Sequence, residues 1–203
     1  GVVTCLVHDC ECIYSGSTDE TVRRWNVKDH DQELIYRGHE GSITALAVDA
    51  VYMCSGSADS TIRLWNKNDG RQLRCVYGHH KSILSLDLGA TWMLSGSTDE
   101  EVRVWTIKEK SAHTTLVDCK NRLIGHEVAV TCVKYSKLEI VSADVNGRVF
   151  IWWMKTGQII RKIQAHTGAI KTLQFDAVNI VTGGVDHCVS IIDIATGDVQ
   201  QKL

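Results

Sequence analysis

Proline is absent from all 203 residues. No residue therefore lacks a backbone donor, which suits a chain made largely of laddered strands. Long apolar runs are missing as well: nothing approaches the roughly 18 consecutive apolar residues of a membrane helix, and no charged head followed by an apolar core opens the chain. Nor is there an excess of charge, because 22 basic and 24 acidic residues leave a net −2. Such a balance gives no overall field for drawing in nucleic acid or an anionic membrane, so neither is an expected partner, although a local patch stays open. The chain also lacks a Gly-x-Ser-x-Gly elbow, a His-Glu-x-x-His zinc pair and a phosphate loop, so no enzymatic activity, cofactor, metal or small-molecule substrate is expected.

What is present is a globular composition, 44% hydrophobic and 23% charged, and it predicts a cytosolic, cytoskeletal or nuclear protein. Gly1 leads directly into the strand-like run Val2-Val3-Thr4-Cys5-Leu6, as expected for a piece of something longer. Eight cysteines lack paired metal-ligand spacing, Cys10-Glu11-Cys12 being CxC.

Self-similarity dominates the sequence. Ser15-Gly16-Ser17-Thr18-Asp19, Ser55-Gly56-Ser57-Ala58-Asp59 and Ser95-Gly96-Ser97-Thr98-Asp99 recur every 40 residues, each leading into an apolar run that ends at Trp25, Trp65 or Trp105. Two diverged copies follow, Ser142-Ala143-Asp144-Val145-Asn146 with Trp152, and Thr182-Gly183-Gly184-Val185-Asp186 with Ile192. Gly38-His39, Gly78-His79, Gly125-His126 and Ala165-His166 each place His 26 residues before the Trp position. The longer fourth interval therefore holds its extra residues within Glu109 to Asn121. Five units result, approximately 1–37, 38–77, 78–124, 125–164 and 165–203.

Within a unit the short apolar period and the β-branched content predict four strands, in the second copy Ser42–Val48, Tyr52–Ser57, Thr61–Asn66 and Gln72–Tyr77. We name them a to d. Asp, Asn, Ser and Gly in the b–c connections, together with Asn68-Asp69-Gly70, Lys155-Thr156-Gly157 and Ala195-Thr196-Gly197 between c and d, supply the turns. Strand a carries two apolar columns, Val3, Ile43, Ile83, Val130, Ile170 and Leu6, Leu46, Leu86, Val133, Leu173. A four-stranded unit cannot bury both faces alone, so units must stack, and radial stacking gives a propeller. Cys5 and Cys132 share a small-residue position with Ala45, Ser85 and Thr172, and Cys54 aligns with Tyr14, Leu94, Val141 and Val181. The thiols are read as packing residues of strands.

The Gly-His, Ser/Thr, Asp and Trp positions resemble the WD40 repeat family over essentially the whole chain. The resemblance implies an all-β propeller in which these residues form a structural hydrogen-bonded network. The sets are Ser15, Asp19, Trp25 in unit one, its His expected before Gly1; His39, Ser55, Asp59, Trp65 in unit two; and His79, Ser95, Asp99, Trp105 in unit three. Unit four supplies His126, Ser142, Asn146, Trp152, and unit five His166, Thr182, Asp186, with Ile192 at the Trp position. Neutral Asn146 and donor-free Ile192 predict weakened networks in units four and five. A catalytic Ser-His-Asp reading fails because the set recurs in register, whereas a nucleophile and base are needed once.

The family's partner surface is built from the d–a and b–c loops. It implies as candidate binding positions Thr18, Ala58, Thr98, Val145 and Val185 before the turn Asp, and Thr4, Thr44, Leu84, Thr131 and Lys171 on strand a. Protein partners and a scaffold role follow. The short a–b connections Asp49-Ala50-Val51 and Asp176-Ala177-Val178 resemble F-box/WD proteins, so a ubiquitin-ligase substrate receptor is one alternative. The missing arginines at the ten candidate positions argue against a phosphodegron reader. A structural subunit of a cytoskeletal or ciliary assembly is a second. Trp92 is a candidate surface anchor, whereas Tyr52 and Trp153 at strand ends are read as packing residues. Arg23, Arg63 and Arg103 are read as solvated strand-face charges. No strand is left to clasp the ring, so five units are expected to belong to a larger propeller, about seven blades.

Overall fold

The computed structural model describes residues 1–29, 31–111, 114–136 and 138–203. His30, Ala112, His113 and Lys137 lie outside the described residues. Among the described residues there is no helix, and the strands form five four-stranded antiparallel sheets in simple a-b-c-d order.

Blade one is β1 (Val3–His8), β2 (Cys12–Ser17), β3 (Val22–Asn26) and β4 (Gln32–Tyr36). Blade two is β5 (Ile43–Val48), β6 (Tyr52–Ser57), β7 (Ile62–Asn66) and β8 (Gln72–Val76), each bound within a residue of the expected one. Blade three is β9 (Ile83–Gly89), β10 (Trp92–Ser97), β11 (Val102–Ser111) and β12 (Thr114–Leu123). Blade four is β13 (Val130–Tyr135), β14 (Glu139–Asp144), β15 (Arg148–Trp153) and β16 (Ile159–Gln164). Blade five is β17 (Ile170–Phe175), β18 (Asn179–Gly184), β19 (Val189–Asp193) and β20 (Val199–Lys202).

The a strands are innermost and touch in chain order, β1 on β5, β5 on β9, β9 on β13 and β13 on β17. Because side chains alternate along a strand, each blade offers one face to the blade before it and one to the blade after. Ile43, Met53 and Trp65 of blade two pack on Cys12, Tyr14 and Tyr36 of blade one. On its other face Ala45, Cys54 and Leu64 meet Ile83, Leu86 and Trp105 of blade three. The same interlock joins blade three to four through Leu94 and Trp152, and four to five through Val141 and Ile170. Each such fully buried aliphatic or aromatic side chain contributes roughly 1.5–3 kcal/mol. Cys54 and Cys132 serve as buried packing residues here, while Cys5 is half-buried.

The two end faces differ. Val3, Leu6 and Ile13 on the leading face of blade one are 55%, 66% and 39% exposed, although their counterparts Ile43 and Met53 are completely buried. Val181 and Val189 on the trailing face of blade five are about as open as Ile13.

The extra residues of unit three are not a separate loop. They lengthen strands c and d into the hairpin β11–β12, whose register runs out to Ser111 opposite Thr114. The hairpin leans back on blade two: Tyr52 is buried and its hydroxyl donates to Glu109.

Candidate partner-docking face

Every a–b pairing slips by one residue at the same place, between Val3 and Cys5, Ile43 and Ala45, Ile83 and Ser85, Val130 and Cys132, and Ile170 and Thr172. The residues skipped are Thr4, Thr44, Leu84, Thr131 and Lys171. A bulge re-aims its extra side chain, and at Thr4 and Thr44 it turns a threonine hydroxyl towards the next blade. Thr44 shares its hydroxyl proton between the Gly56 carbonyl of its own blade, at 3.1 Å, and the Ile83 carbonyl of blade three. Thr4 does the same with Gly16 and Ile43. Thr131 donates within its own blade, to Ala143 at 3.2 Å. Leu84 has no hydroxyl, and blade three grips blade four differently: Ser85 Oγ accepts from Val133 N and Asp87 takes Tyr135 N and Lys134 Nζ. Thr4 and Thr44 are thus blade-to-blade clips, while Lys171 is exposed.

The second set sits on the b–c turns. In every blade the backbone N–H of this residue donates to a carbonyl at the start of strand a: Thr18 to Val2, Ala58 to Ser42, Thr98 to Ser82, Val145 to Ala129 and Val185 to Ala169, at 2.9–3.1 Å. The d–a and b–c loops are stapled together five times, leaving Thr18, Ala58 and Val185 exposed and Thr98 and Val145 half-exposed.

Beneath this face lie the networks. Indole N–H is a donor only, so the serine oxygen must accept from it, the serine proton goes to imidazole Nε2, and Nδ1–H is left for the carboxylate. In blade two Trp65 Nε1 lies 2.9 Å from Ser55, Ser55 2.8 Å from His39 Nε2, and His39 Nδ1 2.8 Å from Asp59. Asp59 also accepts from the Glu40 and Thr61 backbone N–H groups. Blade three repeats the chain through Trp105, Ser95, His79 and Asp99. In blade one Trp25 donates to Ser15, and Asp19 is held by Thr21 and Arg23. In blade five His166 joins Thr182 and Asp186, at 2.9 and 2.7 Å. Ile192 fills the Trp position there, fully buried.

Blade four corrects the sequence expectation. Its carboxylate is Asp144, not Asn146: Asp144 is wholly buried, 2.9 Å from His126 Nδ1, and takes the Arg148 guanidinium as well. His126 reaches Ser142 at 2.7 Å and Trp152 completes the chain. Asn146 is exposed, and its backbone N–H donates to Asp144. The acidic group has moved two residues earlier in the chain, to the end of strand b, and the turn closes around it. This network is not weakened.

Burial disfavours the imidazolium more than the aspartates favour it, so His39, His79 and His126 are held below the ordinary histidine range. Burial pushes Asp59 the other way, but hydrogen bonds from Thr61, Glu40 and His39 together prevail and hold it at about 2. Neutral imidazole with ionised carboxylate is the one pairing that satisfies every donor and acceptor in the chain.

The arginine column, expected to be solvated, is not so throughout: Arg23 and Arg63 are half-buried. Arg103 is buried, ion-paired to Glu101 at 2.8 Å and 6.0 Å from the Trp105 ring centre. It lies against Gly78 and Arg63 against Gly38, where a Cβ would land on the guanidinium. Those glycines have φ of +156° and +148°, a backbone that favours glycine, while the guanidinium that packs against each is the mobile end of a long side chain. His79, Asp99 and Glu101 bring three ligand-type atoms within 4.8 Å. They do not suit a cation, because both ring nitrogens of His79 are engaged and Glu101 is held by Arg103 and Arg122. Trp92 is half-buried, with Lys120 Nζ 4.3 Å from its ring centre, and Trp153 is 38% exposed.

Five radially packed blades with stapled loops over repeated His–Asp networks define a repeat-built propeller. The chain belongs to the WD-repeat family: the family described as "WD domain, G-beta repeat" matches residues 31–66, 70–106, 117–152 and 157–193. Each match begins near an outer strand d and ends with strand c of the next blade, so a sequence repeat straddles two blades and ties them covalently. Among curated proteins the chain is similar to eukaryotic translation initiation factor 3 subunit I of Bombyx mori, 32% identical over 37% of this chain and 24% of that one. It is also 29% identical to the WD repeat-containing protein pop1 of Schizosaccharomyces pombe, over 36% of this chain and 9% of that one. The matched part is a quarter or less of these relatives' length. No helix among the described residues is long and apolar enough to cross a membrane.

Proposed function

We propose that this chain is a non-catalytic scaffold that docks other proteins on the face built from the d–a and b–c loops. The carrying observation is that His39, His79, His126 and His166, with their Ser or Thr and Asp partners, spend both ring nitrogens on internal hydrogen bonds. None of these four networks offers a free imidazole base, and what they hold rigid is a surface. A preformed surface spares a partner the ordering entropy of flexible loops. A relative named as a subunit of a translation initiation factor supports work within a multiprotein assembly, and the balanced, globular composition fits a cytoplasmic setting. Nucleic acid, membrane and small molecules are not the proposed partners. The apolar end faces of blades one and five support an arc of a larger ring, since every equivalent face between blades is covered.

The reading is tested with the full-length protein by quantitative affinity capture, comparing wild type with Ala58→Glu, Thr98→Arg and Val185→Asp, exposed or half-exposed turn positions that the networks do not use. Loss of a common partner with an unchanged melting temperature supports the face. Partner sets identical across all three variants, or turnover of a hydrolase substrate panel by the purified protein, would reject it.

A further inference from the structure

The a–b loops emerge at the opposite end of the strands, and the junctions between blades can be compared there. At the first junction Lys67 of blade two pairs with Asp9 of blade one at 2.9 Å, and Tyr36 donates to the Lys67 carbonyl. The second is spanned by Tyr52 and Glu109, with the long hairpin laid over it. The third is closed by Asp87 and Lys134, at 2.9 Å. The fourth, between blades four and five, has among the described residues Arg161 reaching the Ala195 carbonyl at its outer rim and no ion pair at this end.

Here a crevice of about 740 Å³ opens, the largest of these junctions. Tyr135 and Phe175, both half-buried, with buried Ile194, form its apolar walls, and Leu138 and Val178 stand at its mouth 55% and 58% exposed. Glu139, Asp176 and Asp193 also line it, and no basic side chain does among the described residues. Asp193 is satisfied by Thr196 and Gln200. Asp176 gives one oxygen to the Val178 and Asn179 backbone and keeps the other, and Glu139 carries no side-chain hydrogen bond among the described residues.

We propose that this crevice binds an extended segment of a partner protein that presents a lysine or arginine beside an aliphatic residue. The aliphatic group covers Leu138 and Val178, and the cation meets Glu139 and Asp176, as Lys67 meets Asp9 one junction from the start of the chain. The volume falls within the range of ligand-binding clefts and admits two or three side chains. Because the site lies on the face opposite the loop surface, it stands or falls independently of that docking reading.

The test is fluorescence anisotropy of the full-length protein with a labelled decapeptide of alternating leucine and arginine, at about 0.15 M salt where distant charges are screened. A leucine–glutamine decapeptide is the neutral control. Saturable binding is expected, weakened at least tenfold by Glu139→Gln with Asp176→Asn, the asparagine oxygen still able to accept the turn's N–H groups. Glu20→Gln with Glu100→Gln, a matched charge change on the other face, should leave it unchanged. Equal affinity for the Glu139/Asp176 double variant, an equal loss from the Glu20/Glu100 control, or no saturable binding of the leucine–arginine peptide overturns the proposal.

Discussion

Asp144 is the residue on which blade four turns. It has no exposed surface, and three partners depend on it: His126, the Arg148 guanidinium and the Asn146 backbone. Removing it strands the His126 imidazole donor in the interior and leaves the partly exposed Arg148 with Glu127 alone, so Asp144→Ala should destabilise by about 3 kcal/mol. Asn146→Ala, two residues on, exposed and bonded to Asp144 through its backbone alone, should change stability by less than about 0.5 kcal/mol. Chemical denaturation of the two variants decides between the positions, and the reverse order would return the network to Asn146. Repetition alone pointed to Asn146, because alignment to Asp59 and Asp99 scores the position in the turn. Which side chain reaches the imidazole depends on where the strand ends.

At the scale of elements, the bulge in each a–b pairing sets how blades are joined. Thr44 is a small residue at a strand position where sequence reasoning saw a partner contact, yet its hydroxyl is shared with carbonyls of two blades. Thr44→Val keeps the β-branched shape and removes the bonds, so it should lower stability by about 1 kcal/mol. Leu84→Thr, at the one internal bulge where the apolar residue breaks the pattern, is the complementary variant. A melting temperature unchanged by Thr44→Val would leave the clip without energetic weight. The bulges themselves were not legible, because a bulge is a relation between two strands and the sequence shows each strand alone. The hairpin β11–β12 was half legible: its extra residues could be located, but their pairing depends on register fixed by tertiary contact with Tyr52.

For the molecule as a whole, the titrating groups act in one direction. His39, His79 and His126 have folded values below the ordinary 6.5, so the unfolded chain binds more protons once the pH falls below about 6.5. Asp59, Asp99 and Asp144 are also held low, and their contribution, complete above about 3.8, is lost as the pH falls further, for Asp59 through about 2. Stability should therefore decline as pH is lowered from 7.5 to 5 and fall steeply below 4. Thermal melts across that range check the sign, and a midpoint that rises between pH 7 and 5 contradicts it. The end faces make a separate prediction. Residues 1–203 expressed alone should self-associate through Val3, Leu6 and Ile13 of one copy and Val181 and Val189 of another, and Leu6→Ser should reduce it. A monodisperse monomer in sedimentation would remove the larger ring from the account.

The sequence by itself determined the fold class, the five units and the residue types of the networks, because strand periodicity and turn chemistry are local and are written five times over. Only the tertiary structure decided that Asp144 serves blade four, that Thr4 and Thr44 face a neighbouring blade, that Arg103 lies buried against a glycine, and that the junction of blades four and five holds a wider crevice than the first two junctions. Each of those depends on which blade lies against which, and distances across a packed interface leave no period along the chain.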